Sequence, residues 1–248
     1  MAENYRTSYK PYYKSEGSLR DNAAVLYANI KFSSIDNPVK TIVLTSTIPA
    51  EGKTSIIIFL AMAIAEQGKS VLIIDADLRR PRVGRYLGRR NEIGFVNYIF
   101  KEAPLDSVVC PTTTSNVYFM DCGSKIPNSI EIFESEKFDQ MLKFLRTQFD
   151  YVLLDTPPVS MFIDAAVIAP KADGAVLVCG YGQTSQKQAK DSVEQLKNAN
   201  ANIIGCVLNK IPEKRLMYGN NKRYLRYYGY DVDKKDKTKR KGGANNQA

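Results

Sequence analysis

The chain has 248 residues, 44% apolar and 25% charged, a balance that fits a soluble globular protein with one large α/β domain or two small ones. It contains no histidine, which excludes histidine-based catalysis and most zinc sites; its four cysteines (Cys110, Cys122, Cys179, Cys206) lack CxxC spacing and read as buried reduced thiols. The formal charge is +9, yet from Lys214 onward eleven Lys/Arg stand against Asp231, Asp233 and Asp236, a net of +8, so the basicity belongs to the C-terminal tail and not to a DNA-binding face of the fold.

In chain order, residues 1–18 are polar, carry Tyr5, Tyr9, Tyr12 and Tyr13, and predict a mobile arm. Leu19 to Phe32 predicts a helix. TIVLTS from Thr41 predicts a strand, and KTSIIIFLAMAIAEQ from Lys53 a helix that is apolar nearly all round, hence sandwiched, and ended by Gly68. SVLIIDAD from Ser70 and VYFMDCG from Val117 have strand length. SEKFDQMLKFLRTQ places Phe138, Met141, Leu142 and Leu145 at helical spacing. YVLLD from Tyr151, GAVLVCG from Gly174 and NIIGCVLN from Asn202 complete the strands, with the helix QKQAKDSVEQLKNAN between the last two. Continuous apolar strands alternating with helices predict a doubly wound, mainly parallel sheet covered on both faces, the α/β architecture of P-loop NTPases, spanning residues 19–212. No secretory signal and no apolar run of bilayer length is visible, so the expectation is a cytoplasmic protein that reaches a membrane only through a partner or through charge. Residues 213–248 form a basic, tyrosine-rich tail of low complexity.

Three loops carry chemistry. TSTIPAEGKTS follows the first strand and opens a helix, the placement a phosphate needs: backbone N–H groups, a helix N-terminus, a lysine and a hydroxyl. Candidate nucleotide-binding residues are Thr47, Pro49, Ala50, Glu51, Gly52, Lys53, Thr54 and Ser55. Gly52 permits close backbone approach, Lys53 can reach the β- and γ-phosphates, and Thr54 offers its hydroxyl to Mg²⁺; the general pattern has glycine where Thr47 stands. In LIIDADLRRP, Asp75 and Asp77 close the second strand, where two carboxylates can hold a hydrated Mg²⁺ and orient an attacking hydroxyl; the plainer alternative is that Asp77 caps the next segment. Asp155, closing YVLLDTPP, suits a metal held through water, or a turn former. Arg79, Arg80, Arg82 and Arg85 make a basic loop that serves phosphates, an acceptor, a neighbouring subunit or only solvent.

With PAEGKT, LIIDADLRRP and LLDTPP, the segments IPNSIEIFES, FIDAAVIA, DGAVLVCGYGQTS and NIIGCVLNKI, and a terminal tyrosine cluster, the chain resembles the bacterial tyrosine kinases of capsule and exopolysaccharide synthesis, in their free-standing cytoplasmic form. The resemblance runs from about Arg20 to Tyr230. It implies an ATP–Mg²⁺ site of Lys53, Asp75, Asp77 and Asp155, with Thr54, Asp75 and Asp155 toward the metal. It also implies that Asp77 accepts the tyrosine hydroxyl proton and that Asn209 lies near the adenine. Tyr218, Tyr224, Tyr227, Tyr228 and Tyr230 become sites of autophosphorylation in trans. The implied partners are a transmembrane adaptor that activates the kinase at the inner face of the membrane, other copies of the chain in a ring or dimer, and tyrosine-containing protein substrates; no nucleic acid is expected. The chain departs from the family in two places. Glycine is usual where Ala50 stands, a difference that matters if φ is positive there. Arginines that follow an acidic residue at the family's ring interface are replaced, in RDNAAVLYANIKF, by Ala24 and Tyr27, while Asp21 stands for the acid.

The tail's tyrosines have no apolar surroundings, which fits a substrate. Five phosphates at −1.5 to −2 each would add roughly −8 to −10 and reverse its charge. The competing reading is a partition- or septum-placing ATPase without kinase activity, although those proteins share an early loop lysine that Thr47, Ile48 and Pro49 do not supply. A further alternative is a tail of Lys/Arg and Tyr that binds single-stranded nucleic acid by charge and stacking.

Overall fold

The architecture is that of a computed structural model, which describes residues 16–33, 38–88 and 92–212. Seven strands are β1 (Thr41–Ser46), β2 (Val71–Asp75), β3 (Val109–Pro111), β4 (Val117–Met120), β5 (Tyr151–Asp155), β6 (Gly174–Gly180) and β7 (Ile203–Asn209). They form one sheet in the order β3-β4-β2-β5-β1-β6-β7, parallel throughout except for the β3–β4 pair. The helices are α1 (Glu16–Phe32), α2 (Lys53–Glu66), α3 (Val83–Tyr86), α4 (Phe95–Ile99), α5 (Leu105–Val108), α6 (Ser129–Glu134), α7 (Glu136–Gln148), α8 (Asp164–Ile168) and α9 (Gln186–Asn198).

β1, β2 and β6 are buried along their whole length, as strands covered on both faces must be. One apolar cluster joins one face of the sheet to α4, α6, α7 and α8 through Phe95, Phe133, Phe138 and Ile168. The other joins the opposite face to α1 and α2 through Ile30, Ile57, Leu60 and Ile64. The apolar run of α2 is thus sandwiched as its composition predicts, and no helix among the described residues is long and apolar enough to cross a membrane. Ser135 caps α7 by accepting the Phe138 N–H at 3.2 Å, and Ser185 with Gln188 forms a capping box on α9.

α1 begins at Glu16, three residues before the expected Leu19, because its first turn carries no apolar periodicity to betray it. β3 and the short helices α3 to α6 and α8 have no periodic signal in the sequence, since three to six residues do not establish a period. The cysteine expectation needs correction: Cys122 and Cys179 are buried, but Cys110 is only half-buried and Cys206 is exposed. It lies on β7, the edge of the sheet, where an apolar sequence does not guarantee cover. The compact unit ends at Asn209. The tail tyrosines Tyr218, Tyr224, Tyr227, Tyr228 and Tyr230 lie outside the described residues.

Candidate nucleotide and phosphoryl-transfer site

Parallel register brings the three loops together. Asp75 is paired with Asp155 across β2 and β5, which stop at one level, and Asp155 with Leu44 across β5 and β1, so β1 runs two residues further to Ser46 before the phosphate loop leaves it. This is the carboxyl edge of the sheet at which open α/β folds bind ligands.

The phosphate loop leaves β1 and enters α2 at Lys53. Gly52 has φ 95°, and a Cβ there would come within 2.3 Å of Asn209 Nδ2. Both conformation and space therefore require glycine at that position. Ala50 has φ 65°, in the left-handed region. Thr47 is fully buried beneath the loop, with its hydroxyl 3.7 Å from Cys179 Sγ and its carbonyl receiving the Ser160 hydroxyl, so its side chain faces the sheet. The Glu51 carboxylate also turns away from the mouth of the loop, toward Ile48 N, Gly180 N and the Thr184 hydroxyl. Asn209, at the end of β7, donates Nδ2 to the Glu51 carbonyl at 2.7 Å. A carbonyl can only accept, so this bond fixes the amide's orientation and leaves Oδ1 and the second Nδ2 hydrogen for other partners.

Lys53 is the electrostatic centre. Its Nζ lies 3.1 Å from Asp155 Oδ1 and 3.7 Å from Asp77 Oδ2. Burial pushes the ammonium pKa down, but Asp155, Asp77 and Asp75 together outweigh it and the net shift is upward. Asp155 is buried and its pKa is raised by that burial, although Lys53 and the Thr54 hydroxyl pull the other way. Thr54 donates to Asp155 Oδ2 at 2.6 Å. Asp155 Oδ1, by contrast, has no aligned hydrogen-bond donor, only the ammonium.

The two carboxylates of the second loop divide their work. Asp75 is fully buried and accepts Arg82 N at 2.8 Å, Val83 N at 2.9 Å and Asp77 N at 3.3 Å, holding the DLRRPRV segment closed. Burial raises its pKa well above the ordinary carboxylate value, with neighbouring Asp155 adding to the rise. Asp77 accepts Arg80 N at 2.9 Å on one oxygen and faces Lys53 with the other, so it caps its loop and joins the site at once. Of the loop arginines, Arg79 is anchored, its Nη2 3.1 Å from Asp164 Oδ2 and its guanidinium carbon 4.2 Å over the Phe162 ring. Ser129 donates to the other Asp164 oxygen at 2.7 Å. IPNSIEIFES and FIDAAVIA are thus tied to the second loop through Ser129, Phe162 and Asp164. Sequence reasoning did not single out Asp164, Ser129, Gly180 or Thr184; an acidic residue flanked by apolar ones at the start of a helix, as in FIDAAVIA, was the available signal for Asp164.

The residues present suit Mg²⁺. The ion takes oxygen ligands, needs one or two carboxylates beside substrate phosphates, and is offered the Thr54 hydroxyl and a buried Asp155 oxygen that faces only the Lys53 ammonium.

Residues 38–223 match the ParA family, described as NUBPL iron-transfer P-loop NTPase. The chain is 34% identical over 195 residues to the tyrosine-protein kinase CpsD of Streptococcus pneumoniae serotype 4, covering 78% of this chain and 85% of that one. It is 33% identical over 202 residues to the tyrosine-protein kinase YwqD of Bacillus subtilis, covering 81% and 82%. The kinase domain of the Escherichia coli tyrosine kinase ETK superposes with a TM-score of 0.76 at 28% identity, over 79% of this chain and 76% of that one. The chimerical protein CapA2B2 gives 0.77 at 26%, over 81% and 88%. The septum site-determining protein MinD of Pyrococcus horikoshii, at 22% identity and a TM-score of 0.58 over 71% of this chain and 75% of that one, shares the fold. Fold and phosphate loop define a P-loop NTPase of the ParA type. Within that class, the chain belongs to the bacterial tyrosine-protein kinases.

Proposed function

We propose that this chain transfers the γ-phosphoryl group of ATP to protein tyrosine, that its own tail tyrosines Tyr218, Tyr224, Tyr227, Tyr228 and Tyr230 are acceptors, and that it thereby regulates capsule or exopolysaccharide synthesis. The observation that carries the reading is the convergence of Lys53, Asp77 and Asp155 beside the Thr54 hydroxyl at the mouth of a phosphate loop. In phosphoryl transfer the protein mainly positions groups and neutralises developing charge. Lys53 supplies a mobile cation that can leave its carboxylates for phosphate oxygens. Thr54 and Asp155 would hold Mg²⁺, which when bound neutralises phosphate charge; Asp75, expected beside them, would reach the ion only through water, because backbone N–H groups occupy both its oxygens. Asp75 keeps the second loop in shape through its three backbone N–H bonds. Asp77 is the group that accepts the tyrosine proton as the phenolic oxygen bonds to the γ-phosphorus and ADP leaves. The Oδ1 acceptor of Asn209 suits the amino group of adenine.

The free-standing form of the kinase would act at the inner face of the membrane through a transmembrane adaptor, and on neighbouring copies of itself. Ala24 and Tyr27 replace the arginines of the family's ring contact, so association between copies would use other residues. Domain limits of 1–18, 19–212 and 213–248 accompany this reading.

The test is phosphotyrosine mapping by mass spectrometry after incubation with Mg²⁺–ATP, with and without a cytoplasmic adaptor segment. Phosphate on the tail that vanishes in Lys53→Met and falls about 10²–10³-fold in Asp77→Asn supports the kinase. ATP hydrolysis with no phosphotyrosine under either condition overturns it in favour of a partition-type ATPase.

A further inference from the structure

Glu51 sits inside the phosphate loop, where an acidic side chain aimed at a polyphosphate would repel it. The fold turns it inward. Its carboxylate is 1% exposed. Oε2 accepts Ile48 N–H at 2.9 Å, and Oε1 accepts Gly180 N–H at 2.6 Å together with the Thr184 hydroxyl. Ile48 belongs to the loop itself, whereas Gly180 and Thr184 belong to the turn that leads from β6 to α9. The Glu51 carbonyl meanwhile holds Asn209 at the end of β7. One residue therefore joins the loop to the ends of two neighbouring strands. Hydrogen bonds are stronger inside a protein than in water, and the bond from Gly180 N–H is buried.

We propose that Glu51 is a positioning residue for nucleotide binding: its carboxylate clamps the Ile48–Lys53 segment to the Gly180–Thr184 turn, so the shape of that turn sets the affinity of the phosphate loop. The loop's amide groups must converge on a phosphate, and a side chain that fixes Ile48 N on one oxygen and Gly180 N on the other restricts how far they can splay. Thr184 is the part of the clamp that lies outside the phosphate loop, between β6 and α9. A glutamine at position 51 keeps the shape but exchanges one acceptor for an amide donor, so at least one N–H or hydroxyl partner loses its acceptor. The inference rests on the reading of this loop as a nucleotide site.

The experiment titrates a fluorescent ADP analogue with Mg²⁺ into the full chain and into Glu51→Gln, Thr184→Val, Thr184→Ser and the double Glu51→Gln/Thr184→Val. Each protein is also melted without nucleotide. The expected result is affinity lowered at least tenfold by Glu51→Gln and about fivefold by Thr184→Val, restored to within twofold by Thr184→Ser. The double variant is expected to bind no worse than Glu51→Gln, because both changes open the same clamp. Affinities within twofold of wild type in Thr184→Val and Glu51→Gln, even with lowered melting temperatures, overturn the proposal, as do losses that multiply in the double variant. A wild-type chain that binds no ADP analogue overturns the nucleotide site itself, and the clamp with it.

Discussion

The Lys53 ammonium lies 3.1 Å from Asp155 Oδ1, and both groups are buried. A pair so placed is costly to break, because removing one partner leaves the other charged and desolvated. In Lys53→Met, Asp155 loses the ammonium that offsets its burial, and its pKa climbs further above 3.8. A carboxyl whose pKa is raised in the folded state binds more protons folded than unfolded, so its contribution to stability falls as pH rises from the unfolded to the folded value. Asp75 behaves in the same direction. The melting temperature of Lys53→Met is therefore expected to drop more steeply than that of wild type as pH rises above 3.8. Equal slopes in a thermal melt series would show that these carboxylates do not depend on the lysine.

Ala50 holds φ at 65°, a conformation that costs an L-residue roughly 1–2 kcal/mol and glycine little. Ala50→Gly removes that strain but gains conformational freedom when unfolded, about 0.4–1 kcal/mol in the opposite sense. The net expectation is a stabilisation of about 0.5 kcal/mol, read as a melting temperature higher by roughly 1–2 °C. A lower melting temperature would mean that the alanine methyl group contributes packing that exceeds the strain.

Arg79 binds the fully buried Asp164, although its own side chain is 39% exposed. Arg79→Ala strands that carboxylate and is expected to destabilise by about 2 kcal/mol, discounted from the 3–5 of a fully buried pair for solvent access. Arg79→Lys is expected to recover less than half of the loss, since an ammonium cannot reproduce the planar guanidinium over Phe162 and its two donors, Nε and Nη2, to one carboxylate oxygen. Chemical denaturation of the three proteins checks the order, and full rescue by lysine would reduce the interaction to charge alone.

Ala24 is exposed on α1, whereas Tyr27 is 8% exposed and packs edge-on against Tyr151, with ring centroids 5.6 Å apart. Their hydroxyls stand 3.4 Å apart, and the Tyr151 pKa is pushed up by burial and by this neighbour. Restoring the family's arginines should therefore give opposite results. Ala24→Arg is expected to leave the melting temperature within about 1 °C, and Tyr27→Arg to cost about 3 kcal/mol through lost aromatic packing and a buried charge. Comparable losses from both would show that α1 presents a different face.

What the sequence determined by itself was the periodicity and the motifs. Apolar runs such as VLIID and GAVLVC read as strands buried on both faces, and the spacing of Phe138, Met141, Leu142 and Leu145 as a helix, because burial repeats along the chain at distances a sequence displays. PAEGKT, DADLRRP and LLDTPP declared a phosphate site, because phosphate chemistry restricts which residues can follow a strand and open a helix. The tertiary structure alone decided which partners these residues take. Burial at the centre of the sheet raised the pKa of Asp155 and Asp75, and the register that set Asp155 beside Asp75 added to the rise at Asp75. Gly180 and Thr184, about 130 residues from Glu51 in the chain, turned an apparent phosphate-loop acid into a clamp. The edge position of β7 exposed Cys206, and Tyr151 drew Tyr27 inward. Each of these depends on a contact between distant segments, and local propensity carries no record of the distance at which two segments will meet.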